Sequence, residues 1–230
     1  MTTTLQKIIA LSAIFMALLL NLSAVQAADF PQQVQLQYIG PYGVPAAMTF
    51  SQSNNRYRVT ADINVPMYQM RFQSQGTVSG NTLNPAVYTD TRKGKLYAQA
   101  KFGGGKVVYG KTGEEMKTAE INGAVFDLFT LAWQLAMNEG QLPNQLRITN
   151  GKKLYTVGAL KRIGTTQMRI NGNDTEVNQY RVTRGNDVID YAFSPQWANI
   201  PAKITYTDDG KTYTLKLKSV KLNGKAIPPK

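Results

Sequence analysis

The chain has 230 residues, a formal net charge of +12, no histidine and no cysteine. Those two absences exclude Ser-His-Asp and Cys-His catalysis, the usual zinc sites and any disulfide. The charge points to polyanionic partners.

Residues 1–27 read as a secretory signal peptide. Lys7 gives a weakly positive start, Ile8 to Leu20 an apolar run, and Val25-Gln26-Ala27 the small residues that a signal peptidase reads. Cleavage is expected near Ala27. The run is too short for a transmembrane helix, which needs about 20 residues. Export without cysteine suits a bacterial periplasm better than eukaryotic secretion, where small domains lean on disulfides. Residues 28–230 then form one domain. An exported protein rarely meets nucleic acid, and no nucleotide is expected either. The expected polyanions are anionic lipid head groups or acidic glycans.

From Val34 onward the dominant period is two. Tyr57, Val59, Ala61 and Ile63 alternate with Arg56, Arg58, Thr60 and Asp62. Tyr68, Met70 and Phe72 alternate with Gln69, Arg71 and Gln73. This is the pattern of antiparallel strands with one face on a core. Residues 105–112, GKVVYGKT, match the phosphate-cradling G-x-x-x-x-G-K-[ST] letter for letter. That motif needs a loop opening a helix. Lys106 to Tyr109 are β-branched and aromatic, and Gly113 is a poor helix opening, so the stretch reads as a strand between glycine turns.

One segment breaks the alternation. In FDLFTLAWQLAMNEG the polar residues Asp127, Thr130, Gln134 and Asn138 recur at helical spacing amid apolar ones. Asp127 is a candidate N-cap, and Gly140 with Pro143 beyond it ends the helix. A helix this apolar is mostly buried, lying across a curled sheet or plugging a barrel. Beyond it, Asn150-Gly151, Asn171-Gly172, Arg184–Asp187 and Asp208-Asp209-Gly210 supply hairpin turns, and Lys153 to Val220 reads as a meander of four or five strands. In its last run Tyr213, Leu215 and Leu217 take the core face. The fold expected is mainly β: an antiparallel meander curled into an open or closed barrel, with one apolar α-helix packed against or plugging it.

The chemistry left is that of carboxylates. Most acids fall in turns, where short side chains serve the backbone. Asp190 sits in DVIDYAFS and reads as half-buried, with Arg181 as a structural partner rather than as a general acid. Asp208-Asp209-Gly210 is too short for an EF-hand calcium loop. No catalytic residue, metal site or cofactor is expected.

The stretches YQMRFQSQG, Leu83-Asn84-Pro85 with Tyr88, the helix start Asp127-Leu128-Phe129-Thr130, GKKLYTVGALKRI and YAFSPQWANIPAKITY together resemble the bacterial domain-of-unknown-function 3108 family of exported proteins. The resemblance runs from about Val34 to Leu217. It implies an antiparallel sheet curled into an open or closed barrel, and no catalytic residues. Tyr191-Ala192-Phe193 departs from the tryptophan that the family tends to carry there.

Two functional readings lead, ahead of a third, an acid-dependent hydrolase through Asp190. The first is a non-enzymatic periplasmic carrier of a hydrophobic or lipid-like ligand, with Tyr68, Met70, Phe72, Phe129, Trp133 and Trp197 lining its cavity. The second is an envelope scaffold that grips a protein or acidic glycan through a basic face of Lys216, Lys218, Lys221 and Lys225. In either, lipid or an anionic membrane surface is an expected partner.

Overall fold

The computed structural model describes residues 30–158, 160–185, 187–208 and 210–227. The signal-peptide reading of 1–27 lies outside them, as does Asp209. The chain opens with β1 (Gln33–Ile39), β2 (Pro45–Ser53), β3 (Arg56–Val65), β4 (Tyr68–Ser79), β5 (Thr82–Arg92), β6 (Lys95–Gly103), β7 (Lys106–Lys111) and β8 (Lys117–Glu120). An excursion follows through β9 (Ala124–Asp127), α1 (Leu128–Met137), β10 (Leu146–Thr149) and β11 (Leu154–Thr156). Strands then resume with β12 (Lys161–Ile170), β13 (Asn173–Arg184), β14 (Asp187–Ser194), β15 (Ile200–Asp208), β16 (Lys211–Leu222) and the short β17 (Lys225–Ala226). The phosphate-loop look-alike is the strand β7, bounded by Gly104-Gly105 and Gly113 at positive φ.

The main sheet runs β12-β13-β14-β15-β16-β1-β2-β3-β4-β5-β6-β7-β8, every pair antiparallel. The fold is thus mainly β, a long meander with one short helix. Its order is sequential except at one seam, where β16 pairs with β1 and Val34 stands opposite Leu222. Of the two closures expected, the sheet takes the open one: among the described residues β12 and β8 are its edges. Lys153 to Val220 yields the five meander strands β12–β16, but β11 belongs to a separate sheet.

Alternation puts one face of these strands inside. A single buried cluster joins Leu36, Phe50, Val59 and Leu83 with Val182, Ile189, Phe193 and Val220, and with Leu131, Trp133 and Leu135 of α1. Both arms of the meander therefore curl onto the same helix. Each buried side chain of this size contributes roughly 1.5–3 kcal/mol. β9 and β10 flank α1 as a parallel pair, with β11 antiparallel on β10. This small sheet packs on Tyr88, Ala100 and Val107 of β5–β7 through Val125 and Leu154.

Asp127 caps α1 as its position suggests. Its Oδ1 accepts from the Phe129 and Thr130 amides at 3.0 and 2.9 Å. The helix stops where Gly140, at a φ of 85°, donates its N–H to the Leu135 carbonyl at 2.8 Å. Asp127, Thr130 and Gln134 of the polar stripe are buried rather than solvent-facing. Gln134 accepts from the Leu83 amide and donates to the Asn81 carbonyl, both at 2.7 Å. Thr130 meets the Tyr57 hydroxyl at 3.0 Å. Gln134 thus pairs backbone groups that flank the β4–β5 turn, and the stripe docks the helix onto β3–β5.

Tyr213 departs from its expected place. Leu217 is buried, but Tyr213 is 50% exposed. The alternation is intact; β16 simply runs past the end of β1, because Ile39 already pairs with Lys216.

Candidate functional site

The turn after β15 pairs Asp208 with Lys211, and this register carries on to Lys203 opposite Lys216. Hydroxyl contacts mark the outer face along the way, Thr207 to Thr212 and Thr205 to Thr214, each at 3.2 Å. The next pair in that row is two lysines. Like charges directly opposite on a sheet cost roughly 0.2–1 kcal/mol. Their lateral neighbours are Ala192 on β14 and Ile39 on β1, so no acid stands in the row.

A bulge enlarges this basic wall. The β1–β16 register shifts between Gln37 and Tyr38. An extra residue on one strand reverses which face follows. Leu217 and Val220, an odd number of positions apart, are therefore both buried, while Lys216, Lys218 and Lys221 are all exposed. Exposed Gln33, Gln35 and Gln37 of β1 lie alongside. Lys225 stands exposed on β17, next to Lys221's partner Ala226. Among the described residues none of these lysines forms an ion pair. Lys203 lies outside the basic face read from the sequence. Counting back from Asp208-Asp209-Gly210 as a tight turn would have placed it.

Of the six apolar candidates, Trp133 and Trp197 are buried in the main cluster and Phe72 and Phe129 pack against it, whereas Tyr68 and Met70 stand outside it. Phe72 and Phe129 stack at 5.0 Å between ring centroids. Trp133 stacks on Phe50 at 4.7 Å and meets Phe30 edge-on at 6.2 Å. Trp197 is buried in the short turn between β14 and β15. Tyr68 and Met70 are half-buried on β4, and the Lys93 ammonium lies 5.4 Å over the Tyr68 ring.

Asp127 and Asp190 are both engaged. Asp127 is fully buried, and besides the two cap bonds its Oδ2 accepts from Ser74 and Thr130 hydroxyls at 2.6 Å each. Burial pushes its carboxyl above the usual range, and these hydrogen bonds pull back against the shift. Burial, and then the Asp127 charge, raise the Tyr57 hydroxyl far above the ordinary tyrosine value. Asp190 accepts two bonds from Arg181, both at 2.7 Å. That is a planar bidentate pair on the sheet exterior.

The sequence profile of the family described as protein of unknown function, DUF3108, matches residues 34–218. The chain belongs to the DUF3108 family. Among solved structures, this DUF3108 protein is similar to the crystal structure of a beta-barrel-like protein of domain of unknown function DUF1849 from Brucella abortus. The two share 12% identity at a TM-score of 0.49, over 83% of this chain and 94% of that one. No curated protein matches.

One open groove adjoins the basic wall on the DUF3108 chain. It has a volume of about 770 Å³ and lies between the β1–β2 loop, the β3–β4 turn and the β5–β6 turn. Tyr42, Val44, Pro66, Met67 and Lys93 are among its lining residues. The β1–β2 loop that lines it begins next to β16: a Cβ on Gly40, just before that loop, would touch Leu215 at 3.5 Å. No signal of periodicity marks this groove, because it is made of turns.

Proposed function

We propose that this DUF3108 protein is a non-enzymatic binding protein that holds an anionic surface or polymer against the outer face of β15 and β16. The observation that carries the reading is the Lys203–Lys216 pair. A sheet selected for stability alone gains by placing an acid or a neutral residue at one of those positions. Two unpaired lysines there, continued by Lys218 and Lys221, make a site whose self-repulsion a bound polyanion relieves.

An enclosed carrier receives less support. The concave side that cargo would fill holds α1 and the small sheet, and Trp133 is packed there against Phe50. The leader-like residues 1–27 fit delivery to the periplasm, where anionic head groups and acidic glycans are at hand. The test is retention on immobilised dextran sulfate in a salt gradient. A Lys203→Gln, Lys216→Gln variant of unchanged thermal stability should elute at clearly lower salt. Elution at the wild-type position would end the reading.

A further inference from the structure

Most turns of the main sheet place asparagine or glycine at positive φ, and Gly94, Gly185 and Gly210 do so at the same end as Tyr42 and Met67. At one end the turns hold Asn54-Asn55, Gly80-Asn81, Gly104-Gly105, Asn171-Gly172 and Asn223-Gly224. Asparagine and glycine are what positive φ favours. At the other end Tyr42 has a φ of 56° and Met67 a φ of 63°. A left-handed backbone is an outlier for bulky side chains and costs of order 1–3 kcal/mol at each site. Neither side chain recovers that cost by packing, since both are fully exposed. Local energetics alone would place asparagine or glycine at each. The remaining exposed large apolar side chains among the described residues, Leu96, Ile163 and Tyr213, also lie toward this end of their strands.

Charge surrounds these tips in a definite pattern. Lys93 and Lys95 are exposed at the β5–β6 turn, next to Met67 across the groove. On the other side, Lys216 is level with Ile39, three residues short of Tyr42. Of the acids at this end, Asp62 pairs with Arg71 at 2.7 Å, Asp90 with Arg92 at 3.0 Å and Glu114 with Lys111 at 2.9 Å, and Asp208 stands opposite Lys211 at the β15–β16 turn. Exposed Glu115 lies on the β7–β8 loop, two hairpins away from Met67.

We propose that this end of the sheet docks on an anionic lipid bilayer, with Tyr42 and Met67 entering the head-group boundary and Lys93, Lys95, Lys203 and Lys216 held at the phosphate level. Apolar groups in such docking reach about 5–10 Å below the head groups, and each lysine near an anionic leaflet adds attraction. A soluble polyanion has no use for the apolar tips; a protein partner has no need of the lysine collar. The lysine half of this proposal rests on the basic-face reading above, whereas the tips stand on separate residues.

The experiment is flotation of the full chain with phosphatidylcholine vesicles, with and without phosphatidylglycerol, at low and high salt. Wild type should float with the anionic vesicles alone. Tyr42→Asn with Met67→Asn should keep or raise thermal stability, because asparagine accepts the left-handed backbone, and should weaken vesicle binding about tenfold or more. The same variant should still bind dextran sulfate. If vesicle binding is lost in the Lys203→Gln, Lys216→Gln variant but untouched by the tip substitutions, the insertion proposal fails and the basic face survives. Binding to dextran sulfate without flotation overturns the bilayer and leaves a soluble polyanion. Loss of both in wild type ends both readings.

Discussion

Lys203 and Lys216 face each other across the β15–β16 pair, in a row with no acid to separate them. Lys203→Glu should turn their repulsion into a cross-strand ion pair, with a gain of about 0.5 kcal/mol. For a domain of this size that raises Tm by about 1–2 °C. The same variant should lose affinity for dextran sulfate. Calorimetry and salt-gradient retention would check the two halves; a less stable protein that binds more tightly contradicts both.

Asp127 gives a pH dependence of unusual sign. Burial raises its folded-state carboxyl above the unfolded value. Its ionised form is thus disfavoured by folding, so its contribution to stability improves as pH falls from above the folded value to below the unfolded one. Asp127→Asn keeps a cap of similar quality and abolishes the titration. Wild type should therefore gain on the variant through the mildly acidic range, in urea melts run in parallel. A stability difference that stays flat with pH would contradict this.

Trp133→Ala should cost about 3–5 kcal/mol, because the indole fills the space between Phe50, Phe30 and the sheet interior. Tm should drop by about 10 °C. Trp133→Phe should cost less than half as much. The indole Nε1 has no hydrogen-bond partner among the described residues, so little polar bonding is lost with it. Equal losses in the two variants would mean that the indole N–H is satisfied after all.

Gly76 is required by space rather than by dihedral angle. A Cβ there would stand 2.0 Å from the Asn84 carbonyl oxygen, opposite the bulge in the β4–β5 pair. Gly76→Ala should cost about 2–3 kcal/mol. Gly103→Ala is the control, since nothing lies within 4 Å of its Cβ position. Thermal melts of the two variants should separate clearly.

Much of this architecture was legible locally. Asn171-Gly172 and Asp208-Asp209-Gly210 announced their hairpins, and Asp127 and Gly140 bracketed the helix, because caps and turns are decided by a few adjacent residues. What depends on distant partners was hidden. Nothing in Gln33–Ile39 says that it will pair with Lys211–Leu222 rather than with β2 alone. The β9–β10 parallel pair is likewise set only after α1 has crossed between them. Of the candidate site, Lys216, Lys218 and Lys221 stood out as a cluster. The bulge that puts them on one face needed the register with β1. Alternation predicted Tyr213 inside, yet a strand that outruns its neighbour leaves it uncovered. Tyr42 and Met67 escaped notice because composition cannot reveal a left-handed backbone.

The seam between β1 and β16 has a consequence for how the chain acquires its structure. Gln33 and Asn223, bonded at 3.0 Å, are separated by 190 positions. Until β16 has been synthesised, β1 has only β2 beside it, and its other side is an unpaired template for stray strands. Contacts of such long sequence separation form late and slowly. A chain cut short before Lys211 would therefore leave two raw borders, on β1 and β15, and should be recovered as aggregate rather than as a smaller domain.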